Sequence, residues 1–127
     1  MTLSDKARTL LDGNNFLTIS TVNPDGGPQA TVVWGRLDGD DLVFSTVKGR
    51  RKHLNLVRDP RVSVLVFNPE NQYQTVELRG EASIEEDPDG SLIQELSQRY
   101  TGQPWTEKSD SVERVIVRVR ARKIIEH

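Results

Sequence analysis

Cysteine is absent from this 127-residue chain, and histidine occurs only at His53 and His127. The first absence excludes disulfides, thiol nucleophiles and cysteinyl zinc or iron-sulfur sites; the second leaves too few imidazoles for a histidine-bound metal. Aromatic residues reach only 6%, too sparse for a surface that stacks successive bases. A basic surplus is missing too: 17 Lys and Arg face 19 Asp and Glu, with a pI near 5.7, so a nucleic-acid partner is not expected. No apolar run approaches the roughly 20 residues of a membrane span. The opening "MTLSDKAR" is polar and lacks the apolar segment of a secretion signal. These features predict a cytoplasmic protein with no membrane partner. With 35% hydrophobic and 28% charged residues, the composition is that of a folded chain, and the length predicts a single domain over 1–127.

Punctuation along the chain supports a mainly β fold. Ser4 is placed to cap a short helix reaching Asp12, with Ala7, Leu10 and Leu11 on one side and Gly13 as its stop. This helix is expected to act as a lid or plug. "FLTISTV", the turn "NPDGG" and "PQATVVWGRL" read as a hairpin; "DGDD" then turns the chain into "LVFSTV". "RVSVLVF" and "YQTVELRGEASI" supply a fourth and a fifth strand. Ser91 and Gln94 have capping-box spacing, and Leu92, Leu96 and Tyr100 recur every four residues before Gly102, which predicts a helix over 91–101. In "VERVIVRVRARKII", Val115, Val117, Val119 and Ala121 alternate with Ile116, Arg118, Arg120 and Arg122, as in a sixth strand. About six antiparallel strands with flanking helices predict a closed or nearly closed β-barrel, which leaves no long exposed edge.

One stretch carries unusual charge. "FSTVKGRRKHLNLVRDPRV" packs Lys48, Arg50, Arg51 and Lys52 between a strand and a helix over 51–58, which Asp59-Pro60 ends. A helix of eight residues is marginal alone, so Leu54, Leu56 and Val57 are expected to pack it on the barrel. Its amide N-H groups, the Thr46 hydroxyl and the cationic side chains would together cradle a phosphate, with Gly49 admitting the ligand close to the backbone. The competing explanation is a solvated turn whose charges pair with surface acids. His53 reads as a partly exposed helix residue. The arginines of the last strand read as a solvated face, or one of them reaches an anionic group.

The string "VVWGRLDGDDLVFSTVKGRRKHLNLVRDPRVSVLVF" resembles the pyridoxamine 5'-phosphate oxidase-like flavin and deazaflavin oxidoreductases, and most closely their coenzyme F-420-dependent branch, with a "W...F.T..GR.K..NL.RDPRV" core. The resemblance implies a split β-barrel homodimer with the cofactor in a groove between subunits. It implies that Thr46, Arg50, Arg51 and Lys52 meet the cofactor phosphate. Backbone groups of Thr31, Val32 and Val33 would bond the ring's pyrimidine side beside Trp34, and Gln74 or Thr75 would stand near the ring. Tyr100 and Trp105 are ordinary packing, or they help close the partner subunit's pocket. Unlike the oxidases, the chain ends at "RARKIIEH" with no extended arginine motif, which counts against vitamin B6 oxidation.

The resulting expectation is an oxidoreductase that moves a hydride from F-420 to an unsaturated or conjugated small molecule. FMN is the alternative cofactor, and a dimer that holds a flavin or haem-like ligand without turnover is the alternative class. The scarcity of catalytic side chains fits, because the cofactor carries the difficult chemistry.

Overall fold

The structure, a computed structural model, describes residues 2–127. Helix α1 (Asp5–Leu11) starts where Ser4 accepts a hydrogen bond from the Ala7 amide at 3.1 Å. Seven strands follow: β1 (Leu17–Val22), β2 (Pro28–Val33), β3 (Gly35–Asp38), β4 (Asp41–Val47), β5 (Arg61–Asn68), β6 (Asn71–Glu86) and β7 (Arg114–Glu126). Helix α2 (Arg51–Arg58) links β4 to β5, and α3 (Ser91–Thr101) links β6 to β7. Every pairing is antiparallel, in the order β2-β1-β5-β6-β7-β4-β3.

This order forces the shape. β2 and β3 stand at opposite ends of the sheet, yet only Trp34 separates them in the chain. Seven strands laid flat would hold those edges roughly 29 Å apart, whereas Val33 and Gly35 can be at most about 7 Å apart. The sheet therefore curls until β2 and β3 come close at Trp34 without pairing, giving a split β-barrel. The expected six strands become seven because "PQATVVWGRL" breaks at Trp34, where its first half pairs with β1 and its second with β4. Gly35 is required at this break: a Cβ there would lie 2.7 Å from Leu17 Cδ1 and 3.0 Å from the Val43 carbonyl. Tyr100 completes the corner. Its hydroxyl accepts from the Gly35 N-H at 3.1 Å and can donate to the Asn15 carbonyl at 2.7 Å or that of Gly35 at 3.0 Å.

The barrel interior follows the alternation. Leu17 and Ile19, Leu42 and Phe44, Val64 and Val66, Val76 and Leu78, and Val117 and Val119 are fully buried in one cluster, joined by Leu3 ahead of α1 and by Ala7, Leu10 and Leu11 within it. On the outer wall, Leu92 and Leu96 of α3 pack on Val43 together with Trp34, Tyr100 and Ile116. The alternate face of β7 is largely ionic, as Arg118 pairs with Asp38 and Glu85 at 2.9 Å and with Asp41 at 3.4 Å.

Three local expectations are corrected. Asn14, with φ 58°, takes the left-handed position after α1, and Gly13 does not. Helix α3 is capped by Asp87, whose carboxylate accepts from the Ser91 and Leu92 amides at 3.1 and 3.0 Å; the residue at the cap position itself is Gly90. Of the apolar residues of α2, only Leu56 is buried, while Leu54 and Val57 are exposed. The helix is clamped instead through a polar side chain. Asn55, fully buried, donates through Nδ2 to Thr21 Oγ1 and Asn23 Oδ1, both at 3.0 Å, and accepts from Arg58 at 3.4 Å. Arg58 also bonds the Val22 carbonyl. Asn55→Ala should lower the free energy of urea unfolding by about 2 kcal/mol, since it removes two hydrogen bonds, one of them fully buried; a loss under about 0.5 kcal/mol would contradict the clamp.

Candidate functional site

Strand β4 delivers the site. Its alternation sends Leu42, Phe44 and Thr46 inward and Val43 and Ser45 outward toward α3. At its end Gly49, with φ 93° and open space where a Cβ would stand, turns the chain into Arg50 and α2. No side chain caps α2, so its first amides and the positive end of its dipole stay available to an anion. His53 braces the turn from within the helix, its Nδ1 accepting from the Gly49 N-H at 3.1 Å.

Beside this turn lies an open cleft of about 240 Å³, lined by Phe16, Val32, Val33, Trp34, Ser45, Arg50, Lys52, Ile93, Leu96, Trp105 and Arg114. Its lining is part cationic and part apolar. Lys52 is only 7% exposed, and it has no hydrogen bond or acidic partner among the described residues. Burial, and then the charges of Arg50 and Arg114, push its pKa below the usual 10.5. Such a burial is costly unless an anion completes it. Ser45 adds a buried hydroxyl with no partner among the described residues. Both observations fit a phosphate group held by the cationic part of the lining.

The walls are built from interlocking side chains. Trp34 stacks on Tyr100 with centroids 5.4 Å apart and meets Trp105 edge-on at 5.9 Å. Trp105 is held by Gln94, whose amide group accepts from its N-H at 3.0 Å and donates to its carbonyl at 2.6 Å. Gln94 thus serves the cleft wall, not the expected capping box. Burial raises the Tyr100 pKa, so its hydroxyl remains protonated and able to donate.

The structure brings together Val32, Val33, Trp34, Arg50, Lys52 and Trp105 from the residues singled out in the sequence. Others stand elsewhere. Thr31 is opposite Ile19 on the inner face, although β2 closes one end of the strand order and pairs only with β1, which leaves its other backbone edge open along the cleft. Thr46 is fully buried on the strand face opposite Ser45, with its own hydroxyl unpaired. Arg51 is exposed at the first position of α2. Lys48 is neutralised by Glu86 at 2.7 Å and Glu113 at 3.4 Å. Gln74 accepts from Asn68 at 2.9 Å, and Thr75 pairs with Phe67 on the far side of β5. Tyr100 supports Trp34 from behind and does not line the cleft. Trp105 lines the cleft of its own chain. Sequence reasoning missed Phe16, Ser45, Ile93, Leu96 and Arg114; of these, Ser45 was recoverable from the alternation of "LVFSTV".

A split barrel with a cationic, partly apolar cleft where its fourth strand passes into a helix sets the class of fold to which the chain belongs. Within that class, a family model for pyridoxamine 5'-phosphate oxidase matches residues 3–127, and the chain belongs to this family, whose fold is of the flavin-binding type. A solved F420 reductase is 34% identical, with a TM-score of 0.88 over 97% of this chain and 98% of that one. A conserved hypothetical protein of Mycobacterium tuberculosis is 27% identical, with a TM-score of 0.78 over 99% and 85%. A pyridoxine/pyridoxamine 5'-phosphate oxidase of Kineococcus radiotolerans is 38% identical over 68 residues, which are 54% of this chain and 30% of that protein. The match thus spans less than a third of that relative's length.

The Lys52 environment predicts a pH response. Because its folded pKa is lowered, the unfolded chain holds the proton more tightly, and the protein gains stability as pH rises from the folded pKa toward 10.5. Anion binding needs the charged amine and should weaken over that same rise. Titrating inorganic phosphate across the alkaline range should show affinity falling before 10.5 in the native protein, with a flat profile in Lys52→Met.

Proposed function

We propose that this chain is an F-420-dependent oxidoreductase that reduces an unsaturated or conjugated small molecule in the cytoplasm. The observation that carries the reading is Lys52, a buried cation without an acidic partner among the described residues, set beside Arg50 and an uncapped helix end. A phosphate ester on the cofactor's ribityl chain would supply the missing negative charge. The likeness to an F420 reductase over nearly the full length supports the choice of cofactor.

The bound deazaflavin would supply the hydride. The chain's residues do the rest. Arg50, Lys52 and the first amides of α2 hold the phosphate, and Ser45 offers it a hydroxyl. The open edge of β2 presents backbone groups to the ring near Thr31, Val32 and Val33, while Trp34 and Trp105 keep water from one side. FMN is the second reading, favoured by the match to the oxidase family, because its phosphate meets the same cations. Absence of cysteine fits the cytoplasmic placement, and no described helix is long and apolar enough to cross a membrane.

The functional unit in this reading is a homodimer. On the outer sheet face, Val32, Thr18, Leu65 and Glu77 form one row across four strands, and Phe16, Val32, Leu65, Phe67 and Tyr73 are all exposed on or beside that face. Phe16 and Val32 also line the cleft. A second copy seated there would complete the groove and bring Gln74 or Thr75 of the partner subunit toward the ring.

Two measurements test this reading. Fluorescence titration should show F-420 binding more tightly than FMN, and Lys52→Ala should weaken whichever binds by about 1.5 to 3 kcal/mol, the worth of a charge-assisted bond; unchanged affinity rejects the cradle. Phe67→Asp should convert a dimer to a monomer in light scattering and weaken the cofactor with it; a monomeric native protein refutes the shared groove.

A further inference from the structure

Arg114 enters the cleft from a part of the chain remote in sequence. It opens β7, and its register partner is Val47, the last residue of β4. The ladder continues one step further, with the Lys48 N-H donating to the Glu113 carbonyl at 2.9 Å. This pairing sets Arg114 beside the turn that carries Arg50 and Lys52. Only 5% of Arg114 is exposed.

Its guanidinium is held on two sides. Nε and Nη2 donate to the two oxygens of Glu107 at 2.8 and 3.1 Å, and the ring of Trp105 lies 5.4 Å from the guanidinium carbon. Trp105 itself donates to Glu107 at 2.8 Å. Arginine has a third nitrogen. Nη1 has no hydrogen bond among the described residues, and it is not among the sealed, unpartnered atoms. It is the part of the side chain left to the cleft.

We propose that Arg114 is a third anion-binding arm of this cleft, and that Glu107 sets how much negative charge the cleft accepts. The proposal rests on the phosphate reading of the same cleft. With Arg50, Lys52 and Arg114 opposed by one carboxylate, the cleft carries two net positive charges and attracts a phosphate group more strongly the more negative charge it bears. The four groups share one field: Arg50 and Arg114 both lower the Lys52 pKa, and the same two arginines act on Glu107, whose pKa is lowered first by its bonds from Arg114. Glu107 therefore repels an incoming anion even as it aims the arginine that attracts it. Arg114 as a plain strut would behave oppositely, since removing its carboxylate would only loosen the wall.

The experiment is phosphorus NMR titration with inorganic phosphate and with pyrophosphate at pH 8 and constant ionic strength. Native protein should bind phosphate, and Lys52→Ala should lose at least about tenfold, which checks the phosphate reading separately. Glu107→Gln keeps the shape and removes the charge. It should tighten phosphate about five- to tenfold and pyrophosphate by more, and the gain should vanish when Arg114→Gln is added. If Lys52→Ala loses binding while Glu107→Gln leaves it unchanged or weaker, the cradle stands and the proposed roles of Arg114 and Glu107 are overturned. If native protein binds neither anion, both fail. Should the double variant not fold, the direction of the Glu107→Gln effect alone decides.

Discussion

The structure depends on how one stretch of chain is shared between two sheet edges. Residues on either side of Trp34 pair with different strands, and the corner survives because Gly35 has no side chain and the Tyr100 hydroxyl replaces the ladder bonds lost there. Curling the sheet through this corner places β2, β4 and α3 around a common space. The same corner turns Trp34 onto Tyr100, so the fold's closing device is also a wall of the cleft.

Against that apolar wall the protein sets charges it does not neutralise. Most of its cations are paired: Lys48, Arg61, Arg79, Arg99 and Arg118 all meet carboxylates. Arg50 and Lys52 have none among the described residues, and Lys52 is buried as well. Two unpaired cations set side by side at the cleft, one of them buried, carry a local cost in stability, and such costs are tolerated where a ligand repays them. The Asn55 clamp explains how the cost is borne. By tying α2 to the end of β1 through hydrogen bonds, it keeps the helix and its lysine in place despite mutual repulsion with Arg50 and Arg114.

Local pattern made much of this legible. The alternation of "VERVIVRVRARKII" marked a buried face that the structure confirms at Val115, Val117 and Val119. Ser4 marked a helix start, and the density of charge after Thr46 marked the turn. Short-range chemistry misled where a distant group took over a local role: Asp87 caps α3, Gln94 is drawn to Trp105, and Asn55 anchors α2 in place of Leu54 and Val57.

What the chain alone determined is whatever depends on neighbours within a few residues: strand periodicity, turn positions and a basic strand-to-helix turn. Which of four clustered cations faces the cleft could not follow from it. Lys48 is drawn to Glu113, Arg51 lies exposed on α2 and Lys52 is buried in the cleft, and the pairing of β4 with β7 brought Glu113 to one side of the turn and Arg114 to the other. Those contacts join residues more than sixty positions apart, and only the curled sheet brings them into each other's electric field.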